Sequence, residues 1–365
     1  MAPLCLELGR ATGIESRVCV TAQHREMLDQ VLDLFQVKPD FDLNIMKVRQ
    51  SLTGITCRVL EGMEDIFRDY QPDVVLVHGD TTTSTASALA AFYQQIKVGH
   101  VEAGLRTRNK YAPFPEEMNR TLTGDIADLH FSPTASARRN LLREGVAEES
   151  IYVTGNTVID AMSTTVAKDY TFRTEALNNI DYKNRKVILV TAHRRENWGE
   201  GLDNICKSLR DMVIAQPDIE LIYLVHLNPL VVETANKFLK GVERVHLLPP
   251  LDTQETHNLM SKCYMVMTDS GGLQEEAPHL GKPVLVFRDE TERPEAVEAG
   301  TVKLVGTDPE RIKREAYRLL TDKAAYTQMS QSTNPYGDGQ ASQRIVQALM
   351  YAFKRTSVRP EDFQG

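Results

Sequence analysis

TDSGGLQEEAPHLGKPVLVFRDETER, residues Thr268 to Arg293, follows directly on the apolar run Met265–Met267. The order is an apolar run, a tight turn, the helix-like segment Leu273–Leu280 and a second apolar run, Val284–Phe287. This spacing predicts strand, turn, helix N-terminus and strand. Ser270, Gly271 and Gly272 then stand where unsatisfied backbone N–H groups point outward, and glycine lets an anion approach the chain closely. Glu276 falls about one turn into the helix, placed to accept two vicinal hydroxyls. A phosphate cradle with a sugar-reading acid beside it points to a nucleotide or a nucleotide-sugar.

The same alternation extends in both directions. Val/Ile/Leu-rich runs occur at Val18–Thr21, Val74–Val77, Val98–Val101, Leu129–Phe131 and Ile151–Val153. They recur at Val187–Val190, Leu221–Val225, Val245–Leu248, Met265–Met267, Val284–Phe287 and Val302–Val305. Amphipathic segments such as Thr85–Tyr93 and Leu202–Val213 lie between most of them. Strands apolar on both faces and separated by helices predict parallel sheets covered on both sides. From Ser163 to Lys186 the pattern lapses into a polar stretch, then restarts at Val187. The expected fold class is α/β, with two Rossmann-like domains and a cleft between them. Ligands in such sheets sit beyond the carboxyl ends of the strands.

The residues ending the strands are therefore candidates. Val74–Val77 leads into His78-Gly79-Asp80 and Thr81-Thr82-Thr83, where Asp80 either caps the next helix or faces a ligand. Val98–Val101 leads into Glu102-Ala103-Gly104. The loop YAPFPEEMNR follows with Glu116 and Glu117; one serves the helix start, where acids favour the dipole, and the other is free for the cleft. Val187–Val190 leads into His193-Arg194-Arg195, a cluster that an anion would neutralise. The next strand leads into His226. One set offers carboxylates for moving protons on a sugar; the other offers cations and a helix N-terminus for a diphosphate leaving group. No Walker A loop, GxSxG elbow, HExxH or GxGxxG motif is present, and nothing demands NAD. Tyr336–Gly339 reads as a turn before the last helix.

Size and charge set the limits. At 365 residues the chain has room for two domains. Its net charge of −8 argues against general nucleic-acid binding. No apolar run approaches a membrane span, and the first residues do not read as a signal peptide. The five cysteines, Cys5, Cys19, Cys57, Cys206 and Cys263, form no CxxC pair, so neither a zinc site nor a disulfide framework is expected. A reducing compartment, the cytoplasm, fits them.

In chain order, VHGDTT, GHVEAGLRT, PFPEEMNR, TGNTVID, HRREN, HLNP, DSGGLQEEAP, GKPVLVFRD, TERPE, AGT and NPYGDGQAS resemble the non-hydrolysing UDP-N-acetylglucosamine 2-epimerases, over nearly the whole chain from Met1 to about Phe353. The resemblance implies a glycosyltransferase-B type fold and a cytoplasmic homodimer without cofactor or metal. It implies domains at 1–160, joined by helix 340–356, and at 161–339. It implies interconversion of UDP-GlcNAc and UDP-ManNAc, the latter supplying surface polysaccharides. UDP is eliminated anti across C1–C2 to give 2-acetamidoglucal, then re-added with the proton delivered to the other face. Matching residue by residue, the catalytic positions are Asp80, Glu102, Glu116 and His193. Substrate-binding positions are His226, Ser270, Gly271, Gly272, Glu276 and Arg293. Some members bind a second UDP-GlcNAc as activator, at positions matching Gln23, His24 and Arg49.

The chain departs from the family pattern in places. Family members begin with a strand and a Gly-Thr-Arg-Pro-Glu loop before the helix that here reads MAPL. The expectation is that this first strand and loop are missing and that the natural start lies upstream of Met1. Glu26 replaces the glutamine of the regulated pattern. Asp125 stands where histidine is common, and Thr256 where an aromatic residue often precedes His-Asn. A hydrolysing 2-epimerase releasing ManNAc and UDP, a glycosyltransferase, and a truncated, non-catalytic sugar-nucleotide binder remain alternatives.

Overall fold

Val187, Ile188, Leu189 and Val190 are buried on both sides of their strand, as are Val284, Leu285 and Val286. Side chains alternate across a strand, so such runs are satisfied only in a sheet with helices on both faces. The computed structural model describes all residues but His24, Val48, Arg49, Ala112 and Glu292; the side chains of Glu26 and Met27 also fall outside the description. The described chain divides into two compact units, Met1–Ala161 with Tyr336–Gly365, and Met162–Pro335.

In the first unit, strands β1 (Cys19–Val20) and β2 (Phe41–Asp42) form a short parallel pair. Strands β3 (Val74–His78), β4 (Lys97–Val101), β5 (Leu129–Ser132) and β6 (Ile151–Val153) form a parallel sheet in that order. The helix Thr82–Tyr93 buries Ala86, Ala88, Ala90 and Ala91, and small side chains let it lie close to the sheet and to helix Leu52–Tyr70. The last helix, Ala341–Ala352, packs Ile345, Ala348 and Leu349 against Leu4, Leu8, Phe131 and Tyr152. Asp160 fixes its start by accepting the Ala341 and Ser342 N–H groups at 3.0 and 2.6 Å. The tail then covers the exposed edge of β6, where Phe363 N–H donates to Val153 O at 2.7 Å and Val153 N–H to Asp362 Oδ1 at 2.9 Å. An unpaired strand edge invites association, and this segment occupies it.

The second unit contains β7 (Lys186–Thr191), β8 (Ile219–Leu224), β9 (Val245–Leu248), β10 (Met265–Thr268), β11 (Val284–Val286) and β12 (Val302–Leu304). All are parallel, in the order β12-β11-β10-β7-β8-β9. The chain runs outward from β7 to β9 and then crosses back to lay β10 on the other side of β7. Connections after β7 and β10 therefore leave in opposite directions, opening a crevice at their carboxyl ends.

Each of the eleven strands read from the apolar runs is present, with ends shifted by no more than two residues. The addition is β2, two residues long, whose Phe41-Asp42 carries no periodic signal. Helix Gly271–His279 begins two residues before the apolar pattern does, because the two glycines already have helical geometry.

Candidate active site

At the crevice of the second unit the two central strands end side by side. Thr191 and Thr268 join through their hydroxyls at 2.6 Å, and Asp269 N–H donates to Thr191 O at 3.2 Å. Asp269 is 0% exposed and reaches across to the loop that follows β7. Its Oδ2 accepts the N–H groups of His193 and Arg194, both at 2.8 Å, and Asn197 Nδ2 at 3.0 Å. Its Oδ1 stands 3.4 Å from Nδ1 of His193. At that distance the contact is electrostatic, and Asp269 Oδ1 has no hydrogen-bond partner among the described residues. Burial pushes the His193 pKa below its ordinary value; Asp269 opposes that shift, while His226 and Arg194 add to it. The His193 and His226 rings stack at 5.4 Å with 16° between their planes. His226 accepts the Asn228 N–H on Nδ1 at 3.1 Å, which leaves Nε2 turned away from that turn.

From Asp269 the chain enters Ser270-Gly271-Gly272. Ser270 is the N-cap residue, yet its side chain makes no capping hydrogen bond. Its own N–H is held by Thr268 Oγ1 at 2.9 Å. Among the described residues the first-turn N–H groups of helix Gly271–His279 thus have no side-chain acceptor, the arrangement that receives an anion. Gly272 is exposed, and a Cβ there would meet only Glu276 Oε1 at 3.4 Å. The two neighbouring glutamates separate by environment. Glu275 is buried and takes Arg293 Nε on Oε1 at 2.6 Å, whereas Glu276 is half-buried and lies on the glycine side. Arg293 is thus tied by one guanidinium nitrogen to the helix that carries Glu276.

The first unit gathers the acids at the carboxyl ends of β3 and β4 and at the start of helix Glu116–Ile126. Thr81, not Asp80, caps helix Thr82–Tyr93, accepting Ser84 N–H at 3.1 Å. Asp80 is left to pair with Arg120 through Oδ2, while its carbonyl accepts Asn119 Nδ2 at 2.9 Å. Glu102 has φ +64, a left-handed geometry rare outside glycine and asparagine, which turns its side chain off the strand line. Its Oε1 accepts Asn156 Nδ2 at 3.2 Å, and Oε2 is 3.6 Å from His78 Nε2. The turn beside it is fixed by His100, wholly buried, whose Nε2 is 2.7 Å from Gly79 O. Burial pushes the His100 pKa down to about 3, so its ring is neutral and Nε2–H donates.

The structure separates Glu116 from Glu117. Glu117 is 3% exposed, accepts Thr107 N–H at 3.0 and 3.1 Å and Arg108 N–H at 2.7 Å, and meets Arg120 at 3.3 Å. It is a structural acid that holds the preceding loop. Glu116, half-buried on the first turn, is the one that remains available.

Of the activator positions, Gln23 accepts Thr83 Oγ1–H at 3.0 Å; His24 and Arg49 lie outside the described residues. Asp269, Arg120, Asn156 and His100 are contributors that the sequence reading did not single out. Only Asp269 carried a local signal, as an acid at a strand end directly before the glycine turn. Among the described residues no cluster of His, Cys, Asp and Glu is arranged to hold a metal ion, and no helix is long and apolar enough to cross a membrane.

The family model for UDP-N-acetylglucosamine 2-epimerase matches residues 6–350. The UDP-N-acetylglucosamine 2-epimerase of Bacillus subtilis (strain 168) is 57% identical over 365 residues, covering 100% of this chain and 95% of the relative. That of Escherichia coli (strain K12) is 56% identical over 354 residues, covering 96% and 94%. The crystal structure of UDP-GlcNAc 2-epimerase from Neisseria meningitidis bound to UDP-GlcNAc superposes with a TM-score of 0.86 at 50% identity, covering 96% of this chain and 95% of that one. The fold class is α/β with two Rossmann-like units, of the glycosyltransferase-B type found in the solved 2-epimerases. With a family model spanning nearly its whole length and relatives above half identity, the chain belongs to the UDP-N-acetylglucosamine 2-epimerase family.

Proposed function

We propose that this chain interconverts UDP-GlcNAc and UDP-ManNAc by the non-hydrolysing route, eliminating UDP anti across C1–C2 and re-adding it to 2-acetamidoglucal. The observation that carries the reading is Asp269. One buried carboxylate holds the His193–Arg194 backbone and leads directly into the uncapped Ser270-Gly271-Gly272 helix start. A histidine and an anion cradle are thereby fixed as one rigid group, suited to a diphosphate that must leave and return.

In this reading the second unit holds UDP. Backbone N–H groups at Gly271 and Gly272 meet the diphosphate, Glu276 takes the ribose hydroxyls, and His193, His226 and Arg293 complete the set. The first unit works on the sugar. The C2 proton has no adjacent ketone, so C1–O cleavage must lead and leave positive charge at C1. Carboxylates suit that step twice, by stabilising the cationic centre and by accepting the proton. Asp80, Glu102 and Glu116 are the acids so assigned, and two faces of C2 require at least two proton-handling groups or one mobile group. We assign the chain a cytoplasmic homodimeric state, a role in supplying surface polysaccharides, and a second UDP-GlcNAc as activator at Gln23, His24 and Arg49.

Product analysis tests the reading. With UDP-GlcNAc as sole substrate the expected product is UDP-ManNAc at equilibrium with its epimer. Free ManNAc with stoichiometric UDP would instead support the hydrolysing form. A requirement for an acceptor sugar would support a glycosyltransferase.

A further inference from the structure

His257 is 2% exposed on helix Thr253–Lys262, and its two ring nitrogens face different residues. Nδ1 lies 2.7 Å from Oγ1 of the wholly buried Thr165, and Nε2 lies 3.4 Å from Oε2 of Glu276. A carboxylate only accepts, so the tautomer that suits Glu276 carries its proton on Nε2 and leaves Nδ1 to accept from the Thr165 hydroxyl. The result is a directed chain from Thr165 through His257 to Glu276.

The chain does not serve merely to attach one segment to another. Asn258 already does that, donating from Nδ2 to Thr165 O at 2.7 Å and accepting Ala167 N–H on Oδ1 at 2.9 Å. Glu276 meets no other hydrogen-bond or ion-pair partner among the described residues. With Oε2 facing His257, Oε1 lies over Gly272, 3.4 Å from where a Cβ would stand. One oxygen is thus anchored from behind and the other is presented beside the exposed helix start. An unanchored glutamate would spread over several rotamers, and ordering it on binding would weaken the complex.

We propose that Thr165 and His257 position Glu276 as a reader of the nucleotide's ribose, so that discrimination between ribo- and deoxyribonucleoside diphosphates depends on this buried relay. The inference rests on the assignment of UDP to the Ser270–Glu276 helix start. His257 is a positioning residue in it, since it acts on the ligand through Glu276.

The test is the ratio of affinities for UDP and 2′-deoxy-UDP, measured by calorimetry, with pyrophosphate as a probe lacking the ribose. The unaltered protein is expected to prefer UDP by roughly tenfold or more, the value of one hydrogen bond to a charged group. His257→Leu should bring the ratio close to one and leave pyrophosphate binding within about twofold. His257→Gln, which returns an N–H donor, should recover part of the preference, and Thr165→Val should lose part of it. A folded His257→Leu protein with an unchanged ratio would overturn the inference. If that variant does not fold, the volume-matched Thr165→Val decides, and an unchanged ratio there overturns it equally. Glu276→Gln separates the two levels: if it leaves the ratio unchanged, the UDP assignment itself fails, whereas a collapsed ratio with no effect at His257 and Thr165 removes only the relay.

Discussion

Asp269 accepts the backbone N–H of His193 on Oδ2 at 2.8 Å and sets Oδ1 3.4 Å from ring Nδ1. The imidazole is therefore placed through its main chain, with the carboxylate charge beside its ring. A change at Asp269 should affect position and protonation at once. Asp269→Asn keeps the shape and removes the charge. It is expected to lower stability by about 1–3 kcal/mol, the range for hydrogen bonds to a charged, buried acceptor. Turnover should fall by at least ten times more than UDP affinity. Denaturant unfolding and steady-state kinetics on the same preparation measure both.

Proton uptake reports on His193. Burial holds its pKa below the ordinary histidine value, so the free protein keeps it neutral to a lower pH than an ordinary histidine. A bound diphosphate favours the charged ring and raises that pKa. Binding between the two values must then take up a proton. Calorimetry of UDP binding in buffers of different ionisation enthalpy measures the uptake. UDP's own phosphate titrates nearby, so the quantity that counts is the difference from His193→Gln. Equal proton counts for the two proteins would exclude His193 as the group that charges.

The acids of the first unit should divide into two classes. Asp80→Asn, Glu102→Gln and Glu116→Gln are each expected to lower turnover by about 10²–10⁴, the usual range for a proton-transfer group, with UDP affinity little changed. Loss of UDP binding in parallel with turnover in all three would contradict their assignment to the sugar. Glu117→Gln should behave differently, because Glu117 holds the Thr107 and Arg108 N–H groups and Arg120. It should destabilise by about 1–3 kcal/mol, seen as a lower urea midpoint.

Gly272 offers a test of the anion cradle that separates binding from folding. A Cβ there touches only Glu276 Oε1, and the residue lies within a helix. Gly272→Ala should leave the fold intact or stabilise it by up to about 1 kcal/mol. UDP affinity should nevertheless fall, because the methyl group adds bulk at the exposed helix start proposed to meet the diphosphate. A stabilised variant with unchanged UDP and pyrophosphate affinity would place the diphosphate elsewhere.

What the amino-acid order revealed follows from the range of the interactions. The central strands were legible because burial on both faces leaves a continuous apolar run, as in Val187–Val190. The two-residue β2 was not, since two residues make no pattern. The glycine turn at 270–272 was legible through its position between strand and helix. Asp80 was left between capping and function, and the geometry gives the cap to Thr81, one residue on. Glu116 and Glu117 are chemically equivalent neighbours, and burial alone distinguishes them. Arg120 with Asp80, Asn156 with Glu102, and Asp269 with His193 join residues 40, 54 and 76 positions apart. No local spacing encodes such partnerships.

The central claim is that the C1–O bond breaks while UDP remains bound. It is tested most directly by incubating UDP-GlcNAc carrying 18O at the sugar–phosphate bridging position in deuterium oxide and following both labels by NMR. The account predicts that the bridging label spreads into the other oxygens of the β-phosphate and that UDP-ManNAc forms with deuterium at C2. Epimerisation in which the label stays at the bridge, or in which C2 keeps its original hydrogen, would contradict elimination and re-addition.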